Sequence, residues 1–424
     1  MGQILSHPKT EKSSEEGGDA FVAYALSCMQ GWRVSMEDSH STVLNLLEDN
    51  KAANQIAFFG VYDGHGGEKV ALFTGENLPT VLKKTEAFQQ ENYGQALKDA
   101  FLAMDVEITE DEALQRDPSG CAATSVIITK DAIYCGNAGD SRTILSINGV
   151  CKPLSFDHKP TNEGEKTRIV NSGGFVDMGR VNGNLALSRG IGDFEFKNNP
   201  QLPPEEQAVT ALPDVLEHPL DTNSDEFIVL ACDGIWDCLT SQQVVDFVRR
   251  YIKEGKTLIE ICNLMMNTCL APTSGGSGIG CDNMSVCIVA LLHEGETLEE
   301  WFKRIADKVS DETLEKLATA DQLSQELYNI DIESKIAETS EDSPRVGNEE
   351  DEDASENVHN AFLKQLLASA STSQNGDVIY LDPSTSSILQ HLGVMEDAGD
   401  EGEHEIKVAE EEQSDEEPKV EELK

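Results

Sequence analysis

The sequence predicts an α+β fold in which antiparallel sheets are covered by helices, and three observations carry that prediction. Strand-like runs rich in Val, Ile and Phe are joined by tight turns. Helical segments stand between these hairpins in pairs rather than in strict β-α-β alternation. The last third of the chain is too acidic and too poor in apolar residues to build a core of its own. From Glu294 to Lys424 it holds 37 acidic and 10 basic residues, a net −27 within the chain's −46.

Taken in order, residues 1–20 read as a flexible polar leader. Strands are expected at Ile56 to Tyr62, Ser125 to Thr129, Ala132 to Cys135, Arg142 to Ile147, Glu226 to Cys232 and Met284 to Leu292, each bounded by Gly, Asp or Asn. Helical spacing covers Glu68 to Lys84, Tyr93 to Thr109, Asn162 to Ser172, Ser241 to Ile252 and Leu258 to Leu270. Thr240 and Thr257 are placed to cap the last two. Residues 294–345 read as a helical extension, with Leu298, Trp301, Phe302, Ile305 and Val309 on one side of a helix at Thr297 to Ser310 that docks on the domain. Residues 346–424 read as a mostly disordered acidic tail. Inside it, Val358 to Ala370 and Ser384 to Val394 keep helical spacing, either to fold on a partner or as transient helix.

The acidic balance repels a polyphosphate backbone and argues against nucleic acid as substrate or partner. No hydrophobic stretch approaches the length of a membrane span and the polar start lacks a signal-peptide core, so an intracellular protein is expected. The ten cysteines contain no C-x-x-C pair and read as buried reduced thiols; Cys232 and Cys281 each precede a candidate metal ligand, where oxidation would disturb it. Met1-Gly2-Gln3-Ile4-Leu5-Ser6 matches the myristoylation pattern with Gly2 as acceptor. A single acyl chain with no polybasic neighbour gives at most weak membrane association.

Two strings carry the chemistry: Val61-Tyr62-Asp63-Gly64-His65-Gly66-Gly67 and Leu230-Ala231-Cys232-Asp233-Gly234-Ile235-Trp236. Each ends an apolar strand with Asp-Gly, which projects a carboxylate from a rigid edge and then turns sharply. Hard cations such as Mg²⁺ and Mn²⁺ are held by oxygens gathered in this way, although one Asp-Gly alone is a common turn. Other carboxylates stand in similar positions: Glu37 and Asp38 after Trp32-Arg33-Val34-Ser35-Met36, Asp140 in a turn between two strands, and Asp282 before the strand at Met284. Gly275-Gly276-Ser277-Gly278-Ile279-Gly280 lacks the Lys-Ser/Thr and helix of a phosphate-binding loop and reads as a flexible linker presenting Asp282. Gly190-Ile191-Gly192 lacks the context of a nucleotide fingerprint.

In order, Gly31-Trp32-Arg33-x-x-Met36-Glu37-Asp38, Tyr62-Asp63-Gly64-His65-Gly66-Gly67, Ala138-Gly139-Asp140-Ser141-Arg142, Leu185-Ala186-Leu187-Ser188-Arg189-Gly190-Ile191-Gly192-Asp193, Cys232-Asp233-Gly234-Ile235-Trp236-Asp237 and Cys281-Asp282-Asn283-Met284-Ser285 resemble the type 2C (PPM) metal-dependent Ser/Thr protein phosphatases. The resemblance covers about Phe21 to Leu292. The start and the acidic extension look most like the fungal cytosolic and nuclear members. It implies an α-β-β-α sandwich of two central antiparallel sheets and a catalytic domain at 21–293, with a flap at about 162–189. The activity implied is hydrolysis of phosphoserine and phosphothreonine in proteins.

By position, the resemblance implies that Asp63 bridges two Mg²⁺ or Mn²⁺ ions. Glu37 and the Gly64 carbonyl complete one ion's protein ligands, Asp233 and Asp282 hold the other, and Asp38 acts through water. Asp140, with Asp233, matches a third, weaker metal position. Arg33 grips the substrate phosphate, and His65 protonates the leaving alkoxide after attack by the bridging water. Ala122 stands where many relatives carry threonine, which puts the ordering around the ligands in question. The resemblance also makes kinase phosphothreonines reasonable substrates, stress-activated MAP kinases among them, in stress or cell-cycle signalling, and suggests a monomer in cytoplasm and nucleus. The competing reading is a pseudophosphatase or adaptor that binds partners through the fold and acidic tail. A metal-dependent nuclease is disfavoured by the charge.

Overall fold

Facing strands buried on both faces form the centre of the molecule in a computed structural model that describes residues 4–47, 55–274, 278–328, 371–372 and 379–380. The chain divides into two units, Met1–Asp342 and Ser343–Lys424. In the first, one six-stranded antiparallel sheet takes the order β1 (Ile4–Gly18), β2 (Val22–Arg33), β14 (Met284–Leu291), β13 (Asp225–Ala231), β7 (Arg142–Ile147) and β8 (Val150–Pro153). The other takes the order β12 (Asp214–Pro219), β6 (Ala132–Ala138), β5 (Gly120–Ile128), β4 (Ala57–His65) and β3 (Ser39–Val43), with the two-residue β11 (Ile191–Gly192) on β5.

Alternation along β13 shows how the layers form. Ile228 and Leu230 point between the sheets, where they meet Leu26, Phe59, Val61, Val126 and Leu145. Phe227, Val229 and Ala231 point the other way, into a core closed by α5 (Asp233–Trp236), α6 (Ser241–Lys253), α7 (Leu258–Cys269) and α8 (Leu298–Asp307). The outer face of the second sheet is covered by α1 (Lys69–Lys84), α2 (Glu86–Gln89) and α3 (Tyr93–Glu110), around Phe58, Tyr62, Leu78, Leu97 and Phe101. This is the expected α-β-β-α sandwich. Thr240 and Thr257 each close a capping box, with Gln243 and Glu260 respectively.

The leader is a correction to the sequence reading. Rather than being flexible, Ile4–Gly18 forms β1, paired with β2 from Gly18↔Ala23 to Ile4↔Arg33. The hairpin turns on Asp19, whose carboxylate accepts from the backbone N–H groups of Phe21 (2.8 Å) and Val22 (3.1 Å). An edge strand makes its ladder through the backbone and buries little side chain, so its polar sequence carries no strand signal. β2, buried along nearly its whole length, went unrecognised for the opposite reason, since it shows no alternation.

The first part of the extension packs on the domain through α8. α8 opens with a Thr297–Glu300 capping box and buries Trp301 completely, its indole N–H donating to the Glu226 carbonyl at 3.1 Å. α9 (Asp311–Lys316) and a helix at 320–328 follow, and Ala320 and Leu323 join the same core as α6 and α7. The hydrophobic unit therefore runs past 293. Among the described residues no helix is long and apolar enough to cross a membrane. In the second unit Ser371–Thr372 pairs with Ile379–Tyr380. The two tail segments at 358–370 and 384–394, and Gly2, lie outside the described residues.

Truncating Trp301 to alanine should destabilise the protein by about 3–5 kcal/mol through the cavity left behind. Urea unfolding checks this; a change under about 1 kcal/mol would show that the extension is peripheral to the fold.

Candidate metal centre and active site

The strand ends at one edge of the sandwich converge on a cluster of carboxylates. β4 ends in Asp63-Gly64-His65, β2 ends in Arg33 with Glu37 and Asp38 in the segment that follows, the β6–β7 turn carries Asp140, Asp233 opens α5 directly after β13, and Asp282 precedes β14. Two glycines make the convergence possible. A Cβ on Gly64 would lie 2.1 Å from the Glu37 carbonyl oxygen, and one on Gly234 would lie 2.0 Å from that of Asn283, so only glycine allows these backbones to touch. Asn283 stitches the same edge together. Its Oδ1 accepts from the Glu37 N–H at 2.9 Å, while its Nδ2 donates to the carbonyls of Gln30 (2.9 Å) and Ser35 (3.0 Å).

The electrostatics describe anions short of counter-charge. Burial, then Asp233 and Asp38, push Asp63 well above the usual carboxylate range. Burial, then Asp140, Asp282 and Asp237, do the same to Asp233. Burial pushes Asp38 up to about 7, against a hydrogen bond from the Ser285 hydroxyl and with Asp282 adding repulsion. Among the described residues, Arg33 pairs with Asp282 and the Lys159 ammonium lies 2.6 Å from Asp140.

A divalent cation fits this donor set. Ligand atoms of Asp38, Asp63 and Cys232 lie within 4.8 Å of one another. Asp38 Oδ2 accepts from Ser285 at 2.7 Å, whereas its buried Oδ1 has no hydrogen-bond partner among the described residues. Repelling carboxylates with a spare oxygen favour a hard ion such as Mg²⁺ or Mn²⁺. Cys232 does not belong to that set. Burial raises its thiol well above the ordinary value, and its sulfur accepts from the Ser285 N–H at 3.1 Å. All ten cysteines are free thiols, and Cys232 and Cys281 are both buried.

Glu37 sits beside the cluster, its two carboxylate oxygens accepting from the Ser35 hydroxyl (2.7 Å) and the Gly67 N–H (3.2 Å). Ala122 pairs directly across from Asp63, 1% exposed, and its methyl closes against Gly139, the residue before Asp140. The alanine thus fills the contact between β5 and the Asp140 turn.

His65 Nε2 contacts both oxygens of Asp193 at 2.8 and 2.9 Å. Burial opposes charge on the imidazole, but Asp193 outweighs it, and the His65 pKa lies above its ordinary value. Sequence reasoning gave no role to Asp193, Asn283, Asp237 or Lys159. Asp193, Asn283 and Asp237 stand inside the motifs quoted above, Asp237 one helical turn after Asp233 and Asn283 next to Asp282. Lys159 lies outside those motifs and reaches Asp140 by tertiary contact.

The segment read from the sequence as a flap holds α4 (Glu163–Asn171) and the short hairpin Val176–Asp177 with Arg180–Val181. It is tied down by Glu165, 6% exposed, which accepts from Arg168 (2.8 Å), Arg189 (2.7 Å) and the Ser188 hydroxyl (2.7 Å).

Comparison with known proteins gives a consistent picture. The family model described as "Protein phosphatase 2C" matches residues 22–278. "Protein phosphatase 2C homolog 3" of Schizosaccharomyces pombe is 57% identical over 310 residues, 73% of this chain and 74% of that one. "Protein phosphatase 2C homolog 2" of Saccharomyces cerevisiae is 54% identical over 310 residues, 73% of this chain and 67% of that one. Among solved structures, a phosphatase from Toxoplasma gondii superimposes with a TM-score of 0.56 at 26% identity, over 66% of this chain and 96% of its own.

The Glu165 cluster predicts a pH signature of stability. Burial disfavours the carboxylate, yet the hydrogen bonds and charge of Arg189, then the charge of Arg168, lower its pKa to about 2. The stabilisation is complete above the unfolded-state value of about 4.3 and is lost as pH falls towards the folded value. In urea unfolding, the deficit of Glu165→Gln should therefore be constant above about pH 5 and shrink towards pH 2. A deficit independent of pH would contradict a charge-based tie.

Proposed function

The chain belongs to the protein phosphatase 2C family, and from that premise we propose that it is a Mg²⁺- or Mn²⁺-dependent protein serine/threonine phosphatase. The observation that carries the reading is the cluster of mutually repelling carboxylates around Asp63, with a buried Asp38 oxygen that has no hydrogen-bond partner among the described residues.

In this reading Asp63, Glu37 and the Gly64 carbonyl would hold one ion, Asp63, Asp233 and Asp282 would hold the other, and Asp38 would act through water. Asp140 and Asp233 would face a third, weaker position, and Asp237, which repels Asp233, is a further candidate for it. Two such ions, when bound, supply positive charge to phosphoryl oxygens and acidity to a water in line with phosphorus. Arg33 holds the phosphate with its planar fork; it meets Asp282 through one terminal nitrogen, and its side chain is 39% exposed. His65 supplies the leaving-group proton. With Nε2 committed to Asp193, Nδ1 is the nitrogen that passes the proton to the serine or threonine alkoxide.

Family likeness supports phosphorylated kinases, MAP kinases among them, as substrates in stress or cell-cycle signalling, and a monomer acting in cytoplasm and nucleus. A myristoyl group on Gly2 would add weak membrane association.

Phosphate release from a phosphothreonine peptide should require added Mg²⁺ or Mn²⁺ and stop on chelation. Release unaffected by chelation would overturn the metal reading, and no release from folded protein would favour an adaptor. Asp233→Asn should abolish most turnover with melting retained, and His65→Gln should lower kcat by about 10²–10⁴. Deleting residues 347–424 should leave turnover of the small peptide nearly unchanged, because the proposed site residues all lie in the first unit.

A further inference from the structure

Lys159 is the feature of the site that the catalytic scheme leaves unused. It follows His158 at the base of the flap. The backbone there is held to the Asp140 turn by His158 N–H to the Gly139 carbonyl (2.9 Å) and by the Gly139 N–H to His158 Nδ1 (3.3 Å). From this anchor the Lys159 ammonium reaches Asp140 Oδ2 at 2.6 Å. Asp140 is buried, with a side chain 7% exposed, whereas that of Lys159 is 43% exposed. The cation can therefore leave for solvent, and the carboxylate cannot.

Besides Asp282, which pairs with Arg33, the carboxylates acting on this corner are Asp140, Asp157, Asp237 and Asp233. Asp157 is already matched, because Arg142 holds it in a two-point pair at 2.9 Å and 2.9 Å. Asp140, Asp237 and Asp233 remain, and Lys159 is a cation acting on both Asp237 and Asp233. These are the groups that face the third metal position in the reading above.

We infer that Lys159 is a built-in cation competing with a divalent ion for Asp140, and that it sets the weakness of the third metal position. An ion entering there must displace the ammonium from Asp140 or bind beside its charge, and both weaken binding. The long, flexible lysine stem permits the exchange without moving the flap backbone. The inference rests on the metal-centre reading.

The test is a Mn²⁺ titration of the metal-stripped full chain by calorimetry, with free Mn²⁺ counted by electron paramagnetic resonance. It compares the parent, Lys159→Met and Lys159→Arg, with Asp140→Asn introduced into each background to define binding by the remaining acidic surface. Lys159→Met should tighten the weakest Asp140-dependent binding event by about tenfold, and Lys159→Arg should keep parental affinity. An unchanged or weaker third event in a Lys159→Met protein of parental melting temperature, with two tighter ions retained, overturns this inference alone. A lysine needed to hold Asp140 in place would give the weaker result. A parent that binds no Mn²⁺ above its Asp140→Asn background and shows no tight events overturns the metal-centre reading and this inference together.

Discussion

The constraint on which this structure depends is the confinement of like charge. Asp38, Asp63, Asp233 and Asp282 are driven together at one edge of the sandwich, where burial around Asp38, Asp63 and Asp233 raises the cost of their charge. Repulsion of this kind opposes folding. It is contained because each carboxylate is rooted in an element whose packing is settled elsewhere. Asp63 terminates a strand whose Phe58, Phe59 and Val61 are fully buried, and Asp233 follows a strand buried along its whole length. The apolar layers thus hold the acids at separations that they would not choose for themselves.

That rigidity also explains the small residues around the cluster. Gly64 and Gly234 are sites where two chain segments lie in direct backbone contact, and Asn283 converts the same edge into a hydrogen-bonded seam between the start of β14 and the segment that carries Glu37. Ala122 works in the same sense, since its methyl seats the Asp140 turn against β5. Side-chain volume and backbone approach, rather than direct participation, define what these positions do.

Much of this was legible in the primary sequence because strand termini announce themselves. Asp63 and Asp233 are marked by an apolar run followed by Asp-Gly, and Thr240 and Thr257 mark helix starts that the structure places one residue later. Trp301 and Ile305 were readable from helical spacing alone. Where the physics is non-local, the signal failed. β1 lies at a sheet edge with mostly exposed side chains and looks like a polar leader, and β2 is buried on both faces and shows no alternation. Asp193 lies far from His65 in the chain, on a backbone in the left-handed region at φ 54°, and no local pattern ties the two together.

The pairing of β2 with β14 joins residues 22–29 to residues 284–291. Emerging from a ribosome, the β1–β2 hairpin can close early, yet the inner edge of β2 has no partner until more than 250 residues have followed. Topology of this kind makes folding slow and leaves an apolar strand edge uncovered in the nascent chain. It also imposes an order on the chemistry. Asp282 arrives with the strand that completes the sheet, so the cluster of acids is assembled at the step that closes the core, and a partly synthesised chain holds the pieces of the centre without the centre itself.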